Sequence, residues 1–187
     1  MCRARRPVPS QSRHPSSESN SPAPSQRGQG INEGIVPKID PKILDQRVEA
    51  RLRRQQLLEQ PRPPRFRELL DEAALCRQIG GSAVMHAQLG RILQLVREDK
   101  VTVQVIPFDA GAHASEDSNF ALLEFGNPSI PDLVFVEGLV SHLYHERRHE
   151  LQRYREALEY LRDAALSPRA SVDRIAEIST MHQTNQK

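Results

Sequence analysis

The sequence predicts an α+β domain: a small mixed or antiparallel sheet of four to five strands, packed by helices and ending in a two-helix C-terminal hairpin. Three observations carry that expectation. The runs "VTVQVIPF", "NFALLEF" and "DLVFVEG" are short, rich in β-branched and aromatic residues, and bounded by Pro, Gly and Asn, as strands are. Around them, apolar residues recur at spacings of three and four, the period of a helix with one buried face. The strands and helices are grouped rather than strictly alternating, which favours a sheet with helices laid over a face.

The first 36 residues are expected to be a disordered tail. They are Ser, Pro, Arg and Gln with few side chains to bury, so packing cannot offset the entropy of ordering them. Arg3, Arg5 and Arg6 could form a basic arm, but without interleaved aromatics they carry little specificity for nucleic acid. Structure is expected to begin at Asp40-Pro41, an N-cap followed by a proline at the first helical position. Leu44, Val48 and Leu52 then form one stripe, until Pro61, Pro63 and Pro64 forbid continuation. "RFRELLD" leans to strand, Gly80-Gly81 to a turn, and Ser82 to the cap of a helix carrying Met85, Leu89, Ile92, Leu93 and Val96. After the three strands, residues 139–144 suit an edge strand. A long helix then runs to about Leu166, and Ser167-Pro168 starts the last one. The single domain is expected over 37–181, with 182–187 a disordered end.

Composition narrows the function. The 26 basic and 24 acidic side chains leave a formal charge of +2, near balance and unlike a dedicated nucleic-acid binder. Two cysteines, Cys2 and Cys76, give neither a metal spacing nor a disulfide framework, so a reducing cytoplasm is expected. No apolar run approaches membrane-spanning length. No phosphate-cradling or dinucleotide fingerprint occurs, and no cofactor is expected.

One stretch does raise chemistry. "HERRH", His145 to His149, matches H-E-x-x-H, in which two imidazoles one helical turn apart hold zinc and the glutamate activates water. On a helix wheel the histidines point about 160° from the stripe of Leu151, Tyr154, Leu158, Leu161 and Ala165. Arg147 and Arg148 would stand where they repel a metal, and no third ligand follows at the extended-motif spacing. The simpler reading is a boundary between a strand end and a helix start. A small zinc-dependent hydrolase through His145, Glu146 and His149 stays as the alternative.

The loop "PFDAGAHASEDSNF" holds Asp109, His113, Ser115 and Asp117, but no nucleophile elbow accompanies them. The helix-"LSP"-helix near the C-terminus mimics a helix-turn-helix, with Arg169 and Arg174 as readers. Its first helix is too long and apolar for that role, so a packed hairpin is expected. Asp71, Glu72, His113 and Glu137, polar groups at strand ends, are the candidate contacts for a partner or ligand.

The ordered run "RVEARLRRQQLL", "LLDEAALCRQIGGSAVMHAQLGRIL", "VTVQVIPFDAGAH", "FALLEF", "DLVFVEG" and "YREALEYLRDAALSP" resembles the C-terminal effector domain of actinobacterial XRE-family helix-turn-helix transcriptional regulators. That domain is of unknown function and antitoxin-like. The resemblance spans from about Val36 to the C-terminus and implies that "RFRELLD" is a strand leading into "DEAAL". It also implies a non-enzymatic regulatory domain that contacts a small partner protein or a second copy. DNA would be read only by an N-terminal helix-turn-helix, which this chain is expected to lack.

Overall fold

In the computed structural model, residues 2–6, 41–113, 119–138 and 141–185 are described. Strand β2 (Arg65–Asp71) runs parallel to β3 (Val101–Ile106), with Phe66 beside Val101 and Asp71 beside Ile106. A parallel pair needs a crossover. It is supplied by the short helix α2 (Glu72–Cys76), the Gly80-Gly81 turn and α3 (Ser82–Arg97). Gly80 and Gly81 adopt φ of 80° and 91°, a region that L side chains rarely enter. Strands β4 (Phe120–Phe125), β5 (Leu133–Glu137) and β6 (His142–His145) form an antiparallel meander.

Between these two units lies β1 (Cys2–Arg6), antiparallel to β2 and parallel to β4, giving the order β3-β2-β1-β4-β5-β6. The α+β class and mixed sheet are as expected, and "RFRELLD" is a strand. Cys2–Arg6, which fall within the expected tail, pair as a strand with β2 and β4. Residues 7–40, including the expected cap Asp40, lie outside the described residues.

Strand alternation sends side chains to two faces. Val103 and Val105 join Leu75, Leu89, Ile175 and Ile178 in one core beneath α3 and the last helix, α5 (Pro168–Thr184). Ile106, Phe120, Leu122 and Val134 join Leu151 and Leu161 of α4 (Arg148–Ala164) in a second core on the opposite face. Helices therefore cover both faces rather than one. Each fully buried Leu or Ile contributes on the order of 1.5–3 kcal/mol.

The two C-terminal helices are present, but they straddle the sheet edge instead of packing on each other. The link between them passes β3 and completes its ladder. Leu166 N donates to Val105 O at 2.8 Å, Val105 N donates to Ser171 Oγ at 2.9 Å, and Gln104 Nε2 donates to Leu166 O at 2.9 Å. These bonds cover an edge that would otherwise offer unpaired groups to another chain. Ser167 caps α5, its Oγ accepting from Ala170 N at 3.2 Å. The cap of α3 is Gly81, one residue before the expected Ser82.

Helix α5 runs past the expected domain end at 181. His182, 3% exposed, holds it in place, its Nε2 donating to Leu75 O at 2.8 Å. A carbonyl only accepts, so Nε2 carries a proton, and the buried Nδ1 has no hydrogen-bond partner among the described residues. His86 Nδ1 likewise donates to Ser179 O at 2.9 Å, tying α3 to α5. Helix α1 (Pro41–Gln56) leaves Ile43 and Leu52 exposed, and neither they nor the half-buried Val48 belong to either core. Among the described residues, no helix is long and apolar enough to cross a membrane.

Candidate functional site

The C-terminal ends of β2 and β3, the start of β4 and the end of β5 meet at one end of the sheet, because the register places them there. Asp71 ends β2 and begins α2. Its Oδ1 accepts from Ala73 N at 2.6 Å, capping the helix, and its Oδ2 lies 3.4 Å from His113 Nε2. The His113 side chain is 10% exposed and that of Asp71 40%.

Glu72 turns the other way and is 2% exposed. Oε2 accepts from Phe108 N at 3.0 Å and Oε1 from Arg174 Nε at 2.7 Å. A second guanidinium nitrogen of Arg174 also meets Oε1, and Arg174 Nη1 reaches Glu177 at 2.8 Å. These carboxylates raise the Arg174 pKa, Glu177 first and Glu72 second. A buried carboxylate is tolerable only when so compensated. The result is a clasp joining β2, the loop after β3, and α5. Nearby, burial pushes the Cys76 thiol above its ordinary value of 9.0, with the Glu72 charge adding to the shift. The thiol is thus held protonated, the opposite of an activated nucleophile.

Three of the four expected contact residues, Asp71, Glu72 and His113, are therefore brought together. Glu137 is not. It ends β5 at the same end of the sheet, three strand positions from β2, or roughly 14 Å by strand spacing. Its backbone N donates to Asn119 O at 3.4 Å and it pairs with His142. Sequence reasoning missed Arg174 in this role, treating it as a possible DNA reader, because 102 residues separate it from Glu72 and no local pattern links them. Ser115 and Asp117 lie outside the described residues.

Clasping has a visible product. Phe108, whose backbone Glu72 fixes, opens the single turn Phe108–Ala110 and leaves its ring 63% exposed. On the edge strand β6, Leu143 and Tyr144 are also exposed, on opposite faces, and the Tyr144 ring packs at a tilt 5.3 Å from Phe135.

The zinc motif falls apart in three dimensions. His145 ends β6, Arg147 is the N-cap of α4, and His149 is inside the helix, so the imidazoles are not one helical turn apart. His145 Nδ1 lies 3.3 Å from Glu150 Oε2, and its ring packs 5.4 Å from Tyr154. Among the described residues, no group of three His, Cys, Asp or Glu could hold a metal ion.

The fold is thus a mixed sheet sandwiched by helices, with a structural clasp at one end. The chain belongs to the family described as Domain of unknown function (DUF5753), whose model matches residues 31–177. No curated protein and no solved structure matches it.

Proposed function

We propose that this chain is a non-enzymatic protein-interaction domain, the effector part of an antitoxin-like XRE-family transcriptional regulator, acting in the cytoplasm. The observation that carries the reading is Phe108: an exposed aromatic side chain whose backbone is held by a buried, ion-paired glutamate. Exposed large aromatics on rigid supports are the anchors around which protein interfaces form, and holding one still lowers the entropy lost on binding. The polar residues at this end act as its support. Glu72 has both oxygens engaged and Asp71 caps a helix, so they hold the loop that presents Phe108.

The partner is a small protein or a second copy. DNA contact in such regulators belongs to a helix-turn-helix outside this domain, and Arg174 is committed to Glu72 and Glu177. The test is association of the purified chain with itself, by sedimentation, and with the product of the adjacent gene, by titration calorimetry. Phe108→Ser should weaken association at least tenfold while leaving the melting temperature unchanged. Association that is indifferent to this substitution sinks the reading.

A further inference from the structure

The molecule closes one edge of its sheet and leaves the other open. At β3 the edge is finished by Leu166 and Ser171, which bond to Val105. At the far edge β6 pairs with β5, and among the described residues no backbone hydrogen bond leaves its outer side. An open edge is a template for another strand, and proteins commonly blunt it with Lys, Pro or an inward charge. The strand His142–His145 has none of these. We propose that β6 is a homodimer interface, pairing antiparallel with β6 of a second copy about a two-fold axis at Tyr144. The proposal does not depend on Phe108, which follows β3 at the opposite edge.

Register supplies the argument for a second copy. Residues directly opposite on paired strands share a face, so a two-fold axis normal to the sheet must fall on a residue paired with its own copy. Placed at Tyr144, the axis sets Leu143 opposite His145 and His142 opposite Glu146, each twice. His142 and Glu146 are both exposed, and Glu146 makes no hydrogen bond or ion pair among the described residues. An imidazole opposite a carboxylate is a complementary pair, so this stretch answers its own charge when it meets itself in reverse. An axis at Leu143 would set His142 opposite Tyr144 and bring no acid to it.

Side chains add to what the backbone begins. A strand of four residues makes few ladder bonds, so burial must hold the pair together. On the face away from α4, Ala121, Phe135 and Tyr144 lie in one row across β4, β5 and β6. None of them belongs to either core, and the main contacts of α3 and α5 with the sheet are to β3. Tyr144 is 64% exposed, although its ring packs against Phe135. Across the axis it meets Tyr144 of the second copy, which joins the two rows into one apolar strip. On the other face Leu143, 55% exposed, is covered by His145 of the second copy. Aromatic pairs opposite each other on a ladder are stabilising.

Sedimentation of the full chain, combined with hydrogen exchange, tests the proposal. The wild type should form a reversible dimer, and amides of β6 should gain protection as concentration rises. Tyr144→Lys sets like charges opposite each other on the axis and should weaken association at least roughly tenfold. Glu146→Lys and His142→Glu should each weaken it by about threefold or more. The double variant His142→Glu/Glu146→Lys should return it to the wild-type value or tighter. Damage to the fold gives no such rescue, so the double variant decides the matter even if Tyr144→Lys is poorly folded. A chain that stays monomeric at the highest soluble concentration overturns the proposal. So does a dimer that Tyr144→Lys leaves unchanged, or a double variant no tighter than the singles. A monomer whose β6 amides gain protection only when the adjacent gene product is added also overturns it, and assigns the edge to a different protein. Phe108→Ser should leave this dimer intact, which separates it from any contact made through Phe108.

Discussion

Glu72 Oε1 accepts a hydrogen bond from Arg174 Nε at 2.7 Å across 102 residues of sequence, and this pair fastens α5 to the end of the sheet. Arg174→Met leaves a nearly fully buried carboxylate whose one remaining partner among the described residues is the Phe108 N–H. Breaking a buried pair from one side costs about 3–5 kcal/mol. The Arg174 side chain is 38% exposed, so water screens part of that, and a loss of about 1–3 kcal/mol is expected. Glu72→Gln keeps a hydrogen-bond acceptor for Phe108 N and should cost less. In urea denaturation the double variant should recover about 1–2 kcal/mol relative to the sum of the singles; strict additivity would show that the pair does not interact.

Ser171 completes the exposed edge of β3. It is fully buried, its Oγ accepting from Val105 N at 2.9 Å and donating to Ser167 O at 2.8 Å. Ser171→Ala strands a buried backbone N–H, which costs about 1–3 kcal/mol. The melting temperature should fall by about 2–10 °C, and hydrogen exchange at Val105 should accelerate. Ser171→Thr retains the hydroxyl and should recover much of the exchange protection.

What the sequence made legible was local. The strands "VTVQVIPF", "NFALLEF" and "DLVFVEG" and the helices bearing Leu89 and Leu161 follow from periodicity, which physical law ties to one chain segment at a time. The boundary inside the His145–His149 stretch was legible too, because Arg147 falls on the apolar stripe if the helix starts earlier; the structure ends a strand at His145 and starts the helix at Arg148. Long-range pairing left no such trace. The engagement of Arg174 with Glu72, the wrapping of Leu166 and Ser171 around β3, and the separation of α4 and α5 onto opposite faces depend on three-dimensional closure. Strand β1 was illegible for a different reason. "CRARR" has no apolar alternation, and its place in the sheet comes from backbone groups that every sequence carries.

Cys76 supplies a pH-dependent readout of the clasp. Burial, then the negative charge of Glu72, raises its pKa above 9.0, while Arg174 lowers it. In a Cys2→Ser background, alkylation at neutral pH should be slower than that of an exposed thiol. Glu72→Gln removes a raising influence and should speed the reaction; Arg174→Met removes the lowering one and should slow it. The folded state holds this proton more tightly than the unfolded state, so its contribution to stability is full below the unfolded pKa. It is lost as pH rises through the raised folded value. Stability should therefore decline on the alkaline side, above about pH 9, and Cys76→Ala should remove that component of the decline.

His145 tests the chemistry that the motif suggests. Its Nδ1 is 3.3 Å from Glu150 Oε2 and its ring lies 5.4 Å from Tyr154, which in turn packs 4.7 Å from Phe120. Those contacts make it a bracket between β6 and α4. A partly exposed polar contact of this kind contributes about 0–1 kcal/mol and a ring contact about 0.5–1.5 kcal/mol, so His145→Ala should cost about 1–2 kcal/mol. His149→Ala, an exposed position in the first turn of α4, should be close to neutral. Zinc measured in untagged protein should stay well below one ion per chain in the wild type and in both variants. Stoichiometric zinc that either substitution removes would restore the hydrolase reading, because the two imidazoles would then have to converge in a way that a strand end and a helix interior do not allow.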